Sequence, residues 1–129
     1  MYTILVLDLT EAYCADVYTD AEIVKRFSDT SLVPGKIKPG GQSAKRYSQN
    51  RQNAITQWFK EINRALLNLN RDNITVCMND YYYKRFKKYM HTYVKEKVKR
   101  KASYNASGLS GVYDVLNQIN NGEVIDEKI

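Results

Sequence analysis

One long run of apolar residues at helical spacing constrains this chain more than any other feature. Ala44, Tyr47, Ala54, Ile55, Trp58, Phe59, Ile62, Ala65, Leu66 and Leu69 recur largely in steps of three and four. That spacing places them on one face of an amphipathic helix from Ser43 to about Leu69, with Ser43 as its N-cap. An apolar stripe of this length needs a partner surface, and the segments around it read as strands. Thr3 to Leu9 is apolar and β-branched, Tyr13 to Tyr18 follows after a short turn, and Ile23 to Ser28 completes a meander. Beyond the helix, Ile74 to Met78 predicts a further strand. A basic, Tyr-rich helix from Asp80 to about His91, capped by Asp80, comes next. Lys97 to Tyr104 then predicts the last strand, and Gly108 to Asn121 a final helix carrying Leu109, Val112, Tyr113, Leu116 and Ile119. The order βββαβαβα predicts one α/β domain: a mixed sheet of about five strands with helices packed on it. The domain is expected over residues 1–122, with a polar, frayed tail over 123–129.

Composition fits that class. In 129 residues, 43% are hydrophobic, enough for a real core in a single domain. Two cysteines, Cys14 and Cys77, make no disulfide framework and read as core thiols of a reduced, cytoplasmic protein. The longest apolar run near the N-terminus, Ile4 to Leu7, is too short for a membrane span or a signal sequence. One histidine, His91, excludes a His/Cys zinc cluster, although a carboxylate-bound magnesium stays open. No cofactor is called for. Asp8, without an acidic partner set, reads as a turn residue at a strand end, and His91 as a surface or helix-end residue.

Charge is distributed in blocks. The net charge is +6, yet residues 1–34 are acidic, with six acids against two bases. Residues 35–51 hold Lys36, Lys38, Lys45, Arg46 and Arg51 and no acid. Residues 84–101 hold nine basic side chains against Glu96 alone, among them Lys84, Arg85, Lys87 and Lys88. Two basic blocks on a neutral or acidic body form the footprint of a polyanion binder. Tyr81, Tyr82, Tyr83, Phe86, Tyr89 and Tyr93 are interleaved with the second block, and aromatics that can stack on splayed bases favour RNA. About half of these aromatics are expected in the core instead. The first block also opens the long helix, where cations are poor partners for the dipole and imply an anion nearby.

Residues 29–42 read as an exposed loop, with both prolines and three of the six glycines. It ends in Pro39-Gly40-Gly41-Gln42-Ser43-Ala44, then Arg46, Tyr47 and Arg51. A Gly-Gly-Gln triplet alone is a weak signal and suits a hairpin tip. Here it follows a basic loop and opens a long amphipathic helix. In that context the stretch resembles the catalytic middle domain of the archaeal and eukaryotic class-one peptide chain release factors. The match lies at Gly40, Gly41, Gln42, Ser43, Ala44, Arg46, Tyr47 and Arg51. Gln49 departs from the family's usual basic residue, which removes one phosphate or rRNA contact. Ser103-Tyr104, Gly108 and Gly111 resemble the family's segment before and into its last helix.

The resemblance implies hydrolysis of the ester joining the nascent peptide to tRNA, in the peptidyl transferase centre of the large ribosomal subunit. Gly40 and Gly41 would allow close backbone approach. The backbone N–H of Gln42 would face the developing oxyanion, and its side chain would admit water. The terminal ribose of the tRNA would handle proton transfer. Lys36, Lys38, Ser43, Lys45, Arg46 and Arg51 would contact RNA around the loop, with Lys84, Arg85, Lys87 and Lys88 as a second RNA surface. The resemblance leaves no room for codon-reading or GTPase-recruiting domains. The expectation is therefore a stand-alone, monomeric, codon-independent hydrolase working on ribosomes and peptidyl-tRNA, with any codon recognition in a separate protein. Two other readings stand beside it: a non-catalytic ribosome- or RNA-binding module of the same fold, and a release-factor-like enzyme that cleaves the tRNA end.

Overall fold

A computed structural model describes residues 1–35 and 41–127, with the backbone alone for 41–45. Six strands form one mixed sheet: β1 (Tyr2–Leu7), β2 (Glu11–Val17), β3 (Ile23–Thr30), β4 (Ile74–Cys77), β5 (Val98–Ala102) and β6 (Ile125–Asp126). Four helices accompany them: α1 (Gly41–Leu69), α2 (Asp80–Lys87), α3 (Thr92–Lys97) and α4 (Gly108–Asn120). The strand order is β3-β2-β1-β4-β5-β6. β1, β4 and β5 run parallel to one another, while β2, β3 and β6 join antiparallel.

Both faces of the sheet are covered, and β1 shows how. Leu5 and Leu7 point to one face, where they meet Ile55, Trp58, Phe59, Ile62 and Leu66 of α1 together with Phe86 and Val94 of α2 and α3. Ile4 and Val6 point to the other and pack on Val112 and Val115 of α4. Alternation with period two thus serves two cores, which is why the central strands read as continuous apolar runs. Gly111 lets α4 approach: a Cβ there would lie 2.3 Å from the Ala106 carbonyl oxygen and 2.7 Å from Val6 Cγ1.

A buried carboxylate ties three strands to the end of α1. Asp16 of β2 accepts hydrogen bonds from Thr3 Oγ1 at 2.6 Å, Arg26 Nε at 2.6 Å and Arg71 Nη2 at 3.0 Å. Burial alone would raise its pKa, but the bonds from Arg71, Thr3 and Arg26 outweigh burial and hold it below the usual carboxylate range.

Three sequence expectations are corrected. The tail is not wholly frayed: Ile125 and Asp126 pair with Lys101 and Arg100, which makes a sixth strand where about five were expected. The helix expected over 80–91 ends at Lys87, and a second helix, α3, follows at Thr92–Lys97, where none was expected. Tyr89 N and Met90 N bond back three residues to Phe86 and Lys87, a tightened turn that carries Met90 into the core. His91 then adopts an extended backbone and its Nδ1 accepts from Tyr93 N, capping α3. Finally, Asn79 and not Asp80 caps α2, accepting from Tyr81 N, and the Asp80 carboxylate pairs with Lys101. Asp8 does close the turn after β1. Its Oδ1 accepts from Thr10 N at 2.7 Å and Glu11 N at 2.8 Å.

Candidate functional site

The site is built on the length of α1. Its 29 residues give a helix of about 43 Å, whereas the six residues of β1 span about 20 Å. The C-terminal end of α1 is held near the start of β1, where Arg71 and Thr3 share the Asp16 carboxylate. Trp58 Nε1 donates to the carbonyl oxygen of Asp8, just past the strand's C-terminal end, at 2.9 Å. Ile55 is the last fully buried residue toward the N-terminus, and from Arg46 to Ala54 none is buried. Residues 41–54, about 20 Å of helix, therefore extend past the C-terminal ends of the parallel strands.

The segment that follows β3 leaves from the same end. Ser31 is held by Thr10 and by Leu9, whose carbonyl oxygen accepts from Ser31 Oγ. Residues 31–35 then run along the extended half of α1. Arg51 Nε donates to the Pro34 carbonyl at 3.0 Å, and Tyr47 OH donates to the Gly35 carbonyl at 2.6 Å, one helical turn further on. From the other side, the Arg85 guanidinium of α2 donates to Gln52 Oε1 at 2.6 Å, to Gln52 O at 2.8 Å and to Thr56 Oγ1 at 2.7 Å. The extended half is thus braced by a backbone strap and a guanidinium fork.

The expected site residues divide accordingly. Lys36, Lys38 and Gly40 lie outside the described residues. Gly41, Gln42, Ser43 and Lys45 belong to the first turns of α1, but their side chains lie outside the description, as does any N-cap by Ser43. Arg46 is exposed on the extended half. Arg51 and Arg85 have internal tasks, the strap and the α2 brace. Lys84 and Lys88 are exposed, and Lys87 reaches Glu127 at 3.1 Å. Of the interleaved aromatics, Tyr83 and Phe86 are buried, Tyr82 and Tyr89 pack partly on the core, and Tyr81 and Tyr93 are exposed. Sequence reasoning missed the bracing roles of Tyr47, Arg51 and Arg85; the separation of Arg85 from Gln52 along the chain left no local signal.

Comparison with known proteins follows this geometry. The model of the family described as eRF1 domain 2 matches residues 1–125. The chain belongs to the eRF1 domain 2 family. A curated relative, peptide chain release factor subunit 1-2 from Methanosarcina acetivorans, is 43% identical over 65 residues. The aligned stretch covers 50% of this chain and 15% of that protein. The chain therefore spans a small part of its relative's length. Burial pushes the Cys14 and Cys77 thiols up to about 12, so neither is a nucleophile near neutral pH. Among the described residues, no group of His, Cys, Asp or Glu side chains is placed to hold a metal ion. No helix among them is long and apolar enough to cross a membrane.

Proposed function

We propose that this chain hydrolyses the ester of peptidyl-tRNA in the peptidyl transferase centre, acting in translation termination or ribosome rescue in the cytoplasm. The supporting observation is that Gly41 and Gln42, of the sequence motif Gly40-Gly41-Gln42, open a helix that extends about 20 Å past the sheet, in a chain of the eRF1 domain 2 family. A motif that must enter a crowded RNA pocket needs reach, and the extended half of α1 supplies it. Gly40 and Gly41 leave the backbone without Cβ atoms. The Gln42 N–H would donate to the oxyanion of the tetrahedral intermediate, a contact worth about 3 kcal/mol in other enzymes. The Gln42 side chain would leave space for water and little else. Arg46, with Lys36, Lys38 and Lys45, would meet phosphates around the entry, and the Lys84 and Lys88 surface would meet RNA elsewhere.

On this reading hydrolysis belongs to the domain itself, and any codon dependence comes from a separate recognition unit. The test is release of labelled peptide from ribosomes holding peptidyl-tRNA in the P site, with a stop codon, a sense codon or no codon in the A site. Equal release in all three, reduced about 100-fold by Gln42→Ala through loss of the side chain that positions the water, is the expected result. Release that requires a stop codon overturns codon independence. Retained ribosome binding with no release indicates a binding module, and a shortened tRNA 3′ end indicates a tRNA-cleaving enzyme.

A further inference from the structure

The strand order creates a crevice at one point of the sheet. β1 and β4 are parallel neighbours. Past their carboxyl ends the chain turns opposite ways, from β1 to β2 on one side and from β4 through α2 and α3 to β5 on the other. A parallel sheet opens where connections diverge in this way, and α/β folds hold small ligands there. Here the opening measures about 330 Å³, and Leu7, Asp8, Met78, Asn79, Tyr82 and Tyr104 are among its lining. Leu7 and Met78 are fully buried and give it an apolar base. Tyr82 and Tyr104 add aromatic surface, and both rings are fixed. Tyr82 meets Phe59 and Tyr81 edge-on, with centroids 6.4 Å and 4.9 Å away. Tyr104 OH donates to Asp8 Oδ2 at 2.5 Å.

Two polar side chains of the lining keep unused capacity. Asp8 Oδ1 is fully taken by Thr10 N, Thr10 Oγ1 and Glu11 N. Asp8 Oδ2 accepts from Tyr104 alone, which leaves it one acceptor position. Burial would raise the pKa of this carboxyl, but the hydrogen bonds from Tyr104, Glu11 and Thr10 outweigh burial and lower it. The group is therefore ionised, and among the described residues no cationic side chain pairs with it. Asn79 Oδ1 accepts from Tyr81 N as the cap of α2, so its amide N–H groups are left to donate.

We propose that this crevice binds a nucleobase carrying an exocyclic amino group, that is adenine, guanine or cytosine. The ring lies against Tyr82 and Tyr104, the amino group donates to Asp8 Oδ2, and a neighbouring ring nitrogen or carbonyl accepts from Asn79 Nδ2. Aromatic surface with one acceptor and one donor matches a heterocycle whose edge offers both. A lysine or arginine side chain of a protein could meet the carboxylate and the rings, but it has no acceptor for Asn79. A phosphate would be repelled by Asp8, which has no paired cation. Uracil has no amino group, and its ring N–H is flanked by two carbonyls whose lone pairs would face the Asp8 charge. The base can come from a free nucleoside or from an unpaired residue of RNA. The crevice opens at the end of the sheet where Trp58 bonds to the Asp8 carbonyl, at the root of the extended half of α1. It contains no residue of the Gly40-Gly41-Gln42 motif, so its occupancy does not depend on the hydrolysis proposed above.

The experiment titrates the full chain with the ribonucleosides, and with single-stranded hexanucleotides of A, C or U. Binding is followed by NMR signals of the Tyr82 and Tyr104 rings and of the Leu7 and Met78 methyl groups. Adenosine, guanosine and cytidine should shift these signals saturably. Uridine should bind about tenfold more weakly, the effect of one hydrogen bond to a charged group. Asp8→Asn is the decisive variant. Its side-chain oxygen can keep the turn bonds while its amide nitrogen takes the place of Oδ2, so the preference should invert toward uridine, whose carbonyls accept. Asn79→Ser keeps a capping oxygen for α2 and should weaken cytidine binding several-fold. Tyr82→Leu should weaken every nucleoside by about tenfold. Tighter binding of the A and C hexanucleotides than of their nucleosides, lost in the same variants, assigns the base to RNA; equal binding assigns it to free nucleosides. No shift of the crevice signals with any of these probes overturns the proposal. So does equal binding of uridine and cytidine by both the natural chain and Asp8→Asn. A response to N-acetylarginine amide with none to nucleosides or hexanucleotides assigns the crevice to a protein side chain and overturns it as well. Gln42→Ala should lower peptide release and leave these titrations unchanged, so failure of one reading is seen apart from failure of the other.

Discussion

Tyr47 and Arg51 illustrate how one residue can satisfy two readings of a sequence. Arg51 falls within a basic block and is naturally read as a phosphate contact. In the fold its Nε holds the Pro34 carbonyl, and Tyr47 holds that of Gly35. Their primary effect is to hold residues 34 and 35 against the extended half of α1. Arg51→Ala should therefore lower peptide release by up to about 100-fold through misplacement, with helix content unchanged by circular dichroism. Tyr47→Phe, which removes one hydrogen bond, should have a smaller effect. Gly111 allows a sharper test of packing. A methyl group there would overlap the Ala106 carbonyl and Val6, so Gly111→Ala should destabilise the chain by about 1–3 kcal/mol in urea unfolding. Neither role is legible in the sequence, because each depends on a partner brought near by the fold. Asp8 was legible, since its partners Thr10 and Glu11 are its own neighbours.

At the scale of elements, periodicity identified α1, α2, α4 and the five longer strands, and missed the six-residue α3. It failed where the element is short or the interruption is tertiary. β6 has two exposed residues and no pattern to read. The break between α2 and α3 arises because Met90 is drawn into the core, which no local spacing announces. The Asp16 cluster joins β1, β2, β3 and the residue following α1's C-terminal turn. Its pKa is depressed in the folded state. Its contribution to stability is thus present above the unfolded carboxylate pKa of about 3.9 and is lost as pH falls through the folded value. Unfolding free energy measured from pH 6 downward should drop below about pH 4, and Asp16→Asn should flatten that drop. Asp16→Ala, which strands two guanidiniums, should cost about 3 kcal/mol at neutral pH.

For the whole molecule, the two faces of the sheet share the work unevenly. One carries α4 alone, while the other carries α1, α2 and α3, and that second face roots the extended half of α1. Arg85→Ala should loosen that half: peptide release falls several-fold while helix content by circular dichroism is kept. The extended half of α1 is, mechanically, a cantilever rooted at Ile55 and Trp58. With an arm of about 20 Å, a tilt of about 3° at the root moves the free end by about 1 Å, the displacement at which a reacting group loses its alignment. Angular stiffness at the root then sets the spread of positions available to Gln42. The strap at Gly35 and Pro34 and the fork from Arg85 act as stays against that tilt, so on the proposed function rigidity about 20 Å from Gln42 would become a determinant of the rate.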